Sequence, residues 1–295
     1  MVGANALGMP VILDGLNDQG LSVGLFYFPG YASYTPMTAD NAKRALAPYE
    51  FGLWALANFA TVDEVREAVK NIVLVPTPAP GLGSPQGAVA GAHFFLQDKS
   101  GKSLVVEPVN GTLKVHDAPL GVMTNAPTYD WHMTNLSNYI NLSVKDIDTA
   151  KVGPMTLSAF GSGAGMLGLP GDFTPPSRFV RAVAFSQAAT PNKTAEDTVF
   201  AAFHILNQFD VPKGSVMNAA VGEPTPEITE WTSVNDLRNL RWYFRTFTDQ
   251  SIRMVDLKEA VVAAKGELST IEMEGTKQPI ANVSASVTSS NKAAN

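Results

Sequence analysis

The pair Thr124-Asn125 ends the apolar run Gly121-Val122-Met123 and stands just ahead of Pro127. An asparagine before a proline turn ordinarily serves the turn itself. The same amide can instead donate a hydrogen bond to an oxyanion developing on a carbonyl under attack. Arg178, in Pro175-Pro176-Ser177-Arg178-Phe179-Val180-Arg181, poses a matching question. The plain reading is a surface cation at a helix start. A positive charge there opposes the positive end of the helix dipole, which favours an arginine aimed at a carboxylate or a site.

Other patterns carry less. Gly163-Ala164-Gly165-Met166-Leu167-Gly168 matches GxGxxG. A dinucleotide fingerprint needs a strand before it and a helix after it. Here a Gly-rich coil precedes and Leu169-Pro170-Gly171-Asp172 follows, so the match reads as a loop. Ser84 and Ser162 lack the flanking glycines of a nucleophile elbow. His93, His116, His132 and His204 have no metal-ligand spacing and read as strand, helix-face or surface histidines, so no metal or cofactor is expected. The Asn-x-Ser/Thr matches, such as Asn110 and Asn192, read as chance sequons.

The elements that must position these residues show clear punctuation. VILDGLNDQGLSVGLFYF reads as two strands around the turn Asn17-Asp18-Gln19-Gly20. Residues 46–60 have helical character. Thr61-Val62-Asp63-Glu64 is a capping box that opens a helix to about Ile72. Residues 75–87 form a Gly/Pro loop. The short strands AHFFLQ, KSLVVEP, TLKVHDA and GVMTN then follow one another across turn signals. A helix is predicted from Tyr129 to Leu142, a second Gly/Pro loop over 151–177, and a helix capped at Thr194 with the apolar face Val199, Ala202, Phe203 and Leu206. EITEWTSV, RWYFRTF and SIRMVDL read as three closing strands, with STIEME as a further candidate. Two groups of strands with helices beside each predict two packed antiparallel sheets with helices outside.

The 295 residues carry a net charge of -6, which argues against a sequence-independent nucleic-acid binder. Charged residues are 16%, below the roughly 25% of typical soluble domains, while Gly and Pro are plentiful, as in a loop-rich globular chain. No apolar stretch is long enough for a membrane span. There is no signal-peptide pattern at the start, so the expectation is a cytoplasmic chain as written. Cysteine is absent, which excludes disulfides, thiolate metal sites and a thiol nucleophile within these residues.

Taken together, DGLNDQGLSVGLFYFPGYASY, VVEPVNG, GVMTNAPTYDWHMTNLSNY, FGSGAGMLGLPGDFTPPSRFVRA and the WTSV…RWYFRTF strands resemble the choloylglycine hydrolase family, which includes bile salt hydrolases and penicillin V acylases. The resemblance implies an α+β fold, the four-layer αββα sandwich of the N-terminal nucleophile hydrolases. It implies hydrolysis of a non-peptide C–N amide in small acyl amides, with no cofactor, no nucleic acid and no membrane. In such enzymes an N-terminal cysteine attacks and its own α-amino group, of pKa about 7.7–8.0, takes the thiol proton. Carried over by position, Asn125 is the oxyanion-hole amide, Tyr27 supplies the second donor through its backbone N–H, and Arg178 lies beside the nucleophile. Tyr31, Trp131 and the 75–87 loop shape the acyl pocket. Homo-oligomers are usual in the family.

The departure lies in the attacker. The family's cysteine, and an arginine and aspartate soon after it, fall upstream of the segment matching Met1. The expectation is therefore an N-terminally truncated member lacking its first strands, with one domain over 1–275 and a disordered tail over 276–295. Such a chain would be inactive as given. It would be poorly soluble, partly unfolded or complemented by another copy, because inner strands would lose their neighbours. A full-length version with a leader would be periplasmic. The alternative is a catalytically silent remnant that binds an acyl ligand; a nucleotide-binding protein is the remote third reading.

Overall fold

Asn17 makes the first turn as its chemistry requires: its Oδ1 accepts from the backbone N–H of Gln19 and of Leu21, each at 3.0 Å. Gly20 closes that turn at φ 81°, and a Cβ there would lie 2.6 Å from the Leu237 carbonyl. The computed structural model describes residues 1–295 except 7, 10, 84–85, 219–222, 275–276 and 287–295. Ser84 and half of the expected tail, 276 and 287–295, therefore lie outside the described residues.

In chain order the elements are β1 (Val2–Ala4), β2 (Asp14–Leu16), β3 (Leu21–Tyr27), β4 (Ala45–Leu46), α1 (Phe51–Asn58), α2 (Val62–Ala68), β5 (Val73–Leu74), β6 (Ala92–Asp98), β7 (Ser103–Val109), β8 (Thr112–Asp117) and α3 (Tyr129–Asn135). Then come β9 (Ala150–Val152), β10 (Met155–Leu157), α4 (Pro175–Ala188), α5 (Ala195–Leu206), β11 (Met217–Asn218), β12 (Thr225–Pro226), β13 (Trp231–Asp236), β14 (Arg241–Thr246), β15 (Arg253–Asp256) and α6 (Leu257–Ala264).

One antiparallel sheet has the order β1-β2-β3-β6-β7-β8 and a second the order β13-β14-β15. Side-chain alternation divides the work of the first sheet. Leu21, Val23, Phe94, Leu96, Leu104 and Val106 pack on Phe51, Ala55, Leu56, Val62 and Val65 of α1 and α2. The opposite face is shared. Ala4 and Leu16 meet Trp242 and Phe244 of the second sheet. Val105, Phe95 and Phe26 meet Tyr129, Phe179 and the apolar segment around Met123. Beyond the second sheet, Arg245 points outward over the Phe203 ring of α5. The layers thus run α1/α2, sheet, sheet, α5, the four-layer order the resemblance implies.

Local chemistry starts the helices where the sequence places them. Thr61 Oγ1 accepts from Glu64 N while Glu64 Oε2 accepts from Thr61 N at 3.2 Å, a complete capping box. Thr194 Oγ1 accepts from Asp197 N at 3.0 Å. Three readings change. Residues 121–124 form no strand; Val122 and Met123 are buried by packing on Phe179 and Val105 rather than by a ladder. Within 151–177 the two-stranded hairpin β9-β10 forms, and α4 begins at Pro175. STIEME (269–274) adds no strand: Met273 packs partly buried against the Trp242 and Phe244 cluster, and the other five residues are exposed.

Candidate active site

Main-chain register decides what Tyr27 offers. Phe28 N bonds to Gly91 O, and Leu25 N bonds to Leu13 O, each at 2.7 Å. Donors alternate sides along an antiparallel strand, so the Tyr27 N–H points away from β6 and toward the side where β2 has ended. The Tyr27 carbonyl accepts from Asn125 Nδ2 at 2.8 Å.

Asn125 is held from both ends. Arg178 Nη2 donates to Asn125 Oδ1 at 2.6 Å. Guanidinium only donates, so Oδ1 must face Arg178 and the NH₂ must face the Tyr27 end of β3. One NH₂ hydrogen serves the Tyr27 carbonyl, leaving the second for a ligand. The Asn125 main-chain carbonyl accepts from His132 Nε2 at 2.9 Å. Its partner being a carbonyl, Nε2 carries the proton. Burial first of all holds the His132 pKa below the ordinary value, keeping the ring neutral.

The GLPGDFTPPSRF stretch is a self-capping device that aims Arg178. Asp172 accepts from Thr174 N at 2.9 Å and from Ser177 Oγ at 2.6 Å. These bonds, led by Ser177, pull its pKa down to about 2. Arg181, buried, donates to the Pro170 and Asp172 carbonyls at 2.8 and 2.7 Å. Arg178 Nε donates to the Phe173 carbonyl at 3.1 Å, and Thr124 Oγ1 donates to the Pro175 carbonyl at 3.1 Å. Among the described residues no carboxylate lies within ion-pair distance of Arg178. Burial lowers its pKa from the ordinary arginine value, and the Arg181 charge adds to that. An arginine so far up the pKa scale stays charged, so the site holds a partly desolvated cation with no carboxylate in direct contact among the described residues, Glu227 acting on it only at longer range.

Tyr31 and Trp131 are half-exposed aromatics that touch neighbours of the site residues. Tyr31 stacks on Phe28, with ring centroids 5.5 Å apart. Trp131 meets His132 edge-on at 5.6 Å. A separate apolar cavity of about 290 Å³ lies between α4, Leu136, Tyr139 and Met166, and none of the site residues lines it. GxGxxG sits in a loop, as expected: Gly165 is there because a Cβ would lie 2.1 Å from Lys145 O and 2.4 Å from Ser143 O. Among the described residues no His, Asp or Glu cluster could hold a metal ion.

Tyr27, Asn125 and Arg178 therefore form one continuous chain of contacts. The layered fold that positions them is that of the N-terminal nucleophile hydrolases. The model of the linear amide C–N hydrolases, choloylglycine hydrolase family, matches residues 2–270, and the chain belongs to that family. It is 36% identical over 250 residues to a bile salt hydrolase/transferase of Clostridium perfringens, covering 85% of this chain and 74% of that protein. It is 28% identical over 275 residues to a penicillin V acylase of Pectobacterium atrosepticum, covering 88% of this chain and 65% of that one. The crystal structure of a variant of conjugated bile acid hydrolase from Clostridium perfringens superposes with a TM-score of 0.84 at 34% identity, covering 95% of this chain and 83% of that chain.

Sequence reading missed the support beneath the site. Glu107, His93 and His132 are fully buried. The available signal was a lone acid in the apolar strand SLVVEPV.

Proposed function

We propose that this chain provides the oxyanion-stabilising body of an amidohydrolase acting on small acyl amides such as conjugated bile salts or penicillin V. The observation that carries the reading is the chain from Arg178 through Asn125 to Tyr27. When a nucleophile adds to the amide carbonyl, negative charge collects on the carbonyl oxygen. The free Asn125 N–H and the Tyr27 N–H are the donors for it, and each such donor supplies about 2.7–4 kcal/mol of transition-state stabilisation. Arg178 locks the amide orientation and, as a desolvated cation, favours a thiolate over a thiol nearby. Tyr31 and Trp131 offer flat apolar surface to the acyl group.

These 295 residues include no cysteine, so the polypeptide as given is proposed to bind such amides without cleaving them. The absence of the nucleophile equally favours a silent acyl-ligand binder as the second reading. One experiment separates the two. Calorimetric binding of penicillin V and of a glycine-conjugated bile salt is measured first. Amine release is then followed after the opening strands of a family relative, starting with cysteine, are fused ahead of Val2. Hydrolysis appearing only in the fusion supports the enzyme reading; binding without hydrolysis in a folded fusion supports the binder. Turnover by the cysteine-free chain, or binding of neither compound, overturns the proposal.

Self-association belongs to the same proposal. Val144, Val152, Met155, Leu157 and Phe160 all expose apolar side chains around β9 and β10, more than a solitary chain ordinarily leaves bare in one region. Sedimentation velocity of the wild type and of a variant with Met155→Glu and Leu157→Lys tests it; an unchanged monomer in both counts against it.

A further inference from the structure

Glu107 lies mid-strand on β7 with no exposed surface. Among the described residues, its ion-pair-range neighbours are two histidines: His93 Nδ1 at 3.0 Å and His116 Nε2 at 3.7 Å. A carboxylate placed there costs desolvation that an apolar residue would avoid. What it gains is contact in two directions. Toward β6 it bonds His93 Nδ1. Toward α3 it accepts the Tyr129 N–H on both oxygens, at 3.0 and 3.2 Å.

Each of those contacts leads to one half of the site. His93 stacks face to face on Phe28, centroids 4.1 Å apart, and Phe28 follows Tyr27 in the chain. Tyr129 opens α3, which carries His132; that ring stacks on Phe179 at 4.6 Å and donates to the Asn125 carbonyl. One buried carboxylate therefore joins the platform under the Tyr27 end of β3 to the helix that grips Asn125. Close-packed interiors transmit such constraints with little give.

The geometry points to Glu107 as a positioning residue that fixes the separation of the Tyr27 N–H and the Asn125 amide. This rests on reading those two groups as the oxyanion donors. A pair of donors set for a tetrahedral oxyanion must be held against relaxing toward a planar carbonyl, and a rigid tie between their supports does that.

The coupling can be measured without catalysis. ¹⁵N–¹H spectra of the full chain report the Tyr27 backbone amide and the Asn125 side-chain amide. In E107Q the Oε1 position can still accept from His93 Nδ1 and Tyr129 N, but the Oε2 position becomes an NH₂ set donor-to-donor against the Tyr129 N–H, so the two-oxygen grip on α3 is broken; both reporter signals are expected to move. In H93Q the Asn125 signal is expected to move as well, although His93 makes no hydrogen bond to Asn125. V65A, which opens a cavity beneath α2, is the control: it lowers the melting temperature and leaves both signals in place. Reporter signals unmoved in folded E107Q or H93Q overturn the proposal, and H93Q alone decides if E107Q does not fold. In the cysteine-bearing fusion, E107Q is further expected to lower kcat with KM held. Should N125A prove harmless to that fusion, the oxyanion reading fails while the measured coupling through Glu107 stands or falls by itself.

Discussion

Arg178 and Asn125 are joined by a 2.6 Å hydrogen bond from Nη2 to Oδ1, and it fixes which end of the amide faces the Tyr27 terminus of β3. The cation and the amide thereby act as a unit: the first determines what the second can donate.

Removing either member is expected to hurt in different ways. In the cysteine-bearing fusion, N125A should lower kcat/KM by about 10²–10³, the usual cost of one lost oxyanion donor. R178L should release the amide and also take a positive charge from beside the thiol, raising the thiol pKa. The pH–rate profile of R178L is therefore expected to move to higher pH, while that of N125A keeps its midpoint. Amine release measured across pH checks both, and an R178L profile that stays in place refutes the electrostatic role.

Asp172 should link the site's scaffold to acid stability. Its pKa is depressed to about 2, first through the Ser177 hydroxyl and then through Thr174. A depressed acid contributes stability that is fully present above its unfolded value, 3.8, and is lost as pH falls through about 2. The melting-temperature gap between wild type and D172N is thus expected to be constant at neutral pH and to close over that window. A gap that persists at the acid end contradicts the assignment.

Asp14 should behave in the opposite sense. It lies between the sheets, where Ser233 and Asn235 donate to it, the latter at 3.1 Å, and Trp242 Nε1 approaches at 3.4 Å. Burial outweighs these bonds and raises its pKa above 3.8. Its protonated form is the better fitted one, so stability should decline as pH rises through the raised folded value. D14N, which does not ionise, is expected to lack that decline in paired thermal melts.

Gly165 gives a purely steric forecast. An added methyl would meet two backbone carbonyls, those of Lys145 and Ser143, at well under contact distance. Overpacking of this sort costs about 1–3 kcal/mol. Urea denaturation of G165A should show that loss, while G168A, at φ 92° but in open space, should show only the strain of its backbone conformation.

How far the sequence could be read follows from the range of the forces involved. The caps at Thr61 and Thr194 and the Asn17 turn were legible because donor and acceptor lie within four residues of each other. The meander was legible through its alternation. GVMTN was misread because a strand is defined by a neighbour's free edge, and that run finds Phe179 and Val105 instead. Asn125 and Arg178 were legible as polar groups in costly places, and Tyr27 through family resemblance alone. The Glu107 tie was not legible, since its partners lie 14 and 22 residues away and meet only once β7 and α3 have packed. Nor does the sequence announce that Gln278, placed in the expected tail, bonds Thr248 O at 3.0 Å and Gln250 N at 2.9 Å.

The β3 register carries a practical corollary. Position 27 meets Asn125 through its peptide group, whose carbonyl accepts from Nδ2 at 2.8 Å, and the residue is over half exposed, at 58%. Any residue but proline presents the same N–H in the same direction. Codon 27 is thus a natural dial for laboratory evolution: on the proposed oxyanion reading, saturating it changes the exposed side chain and leaves the main-chain donor in place.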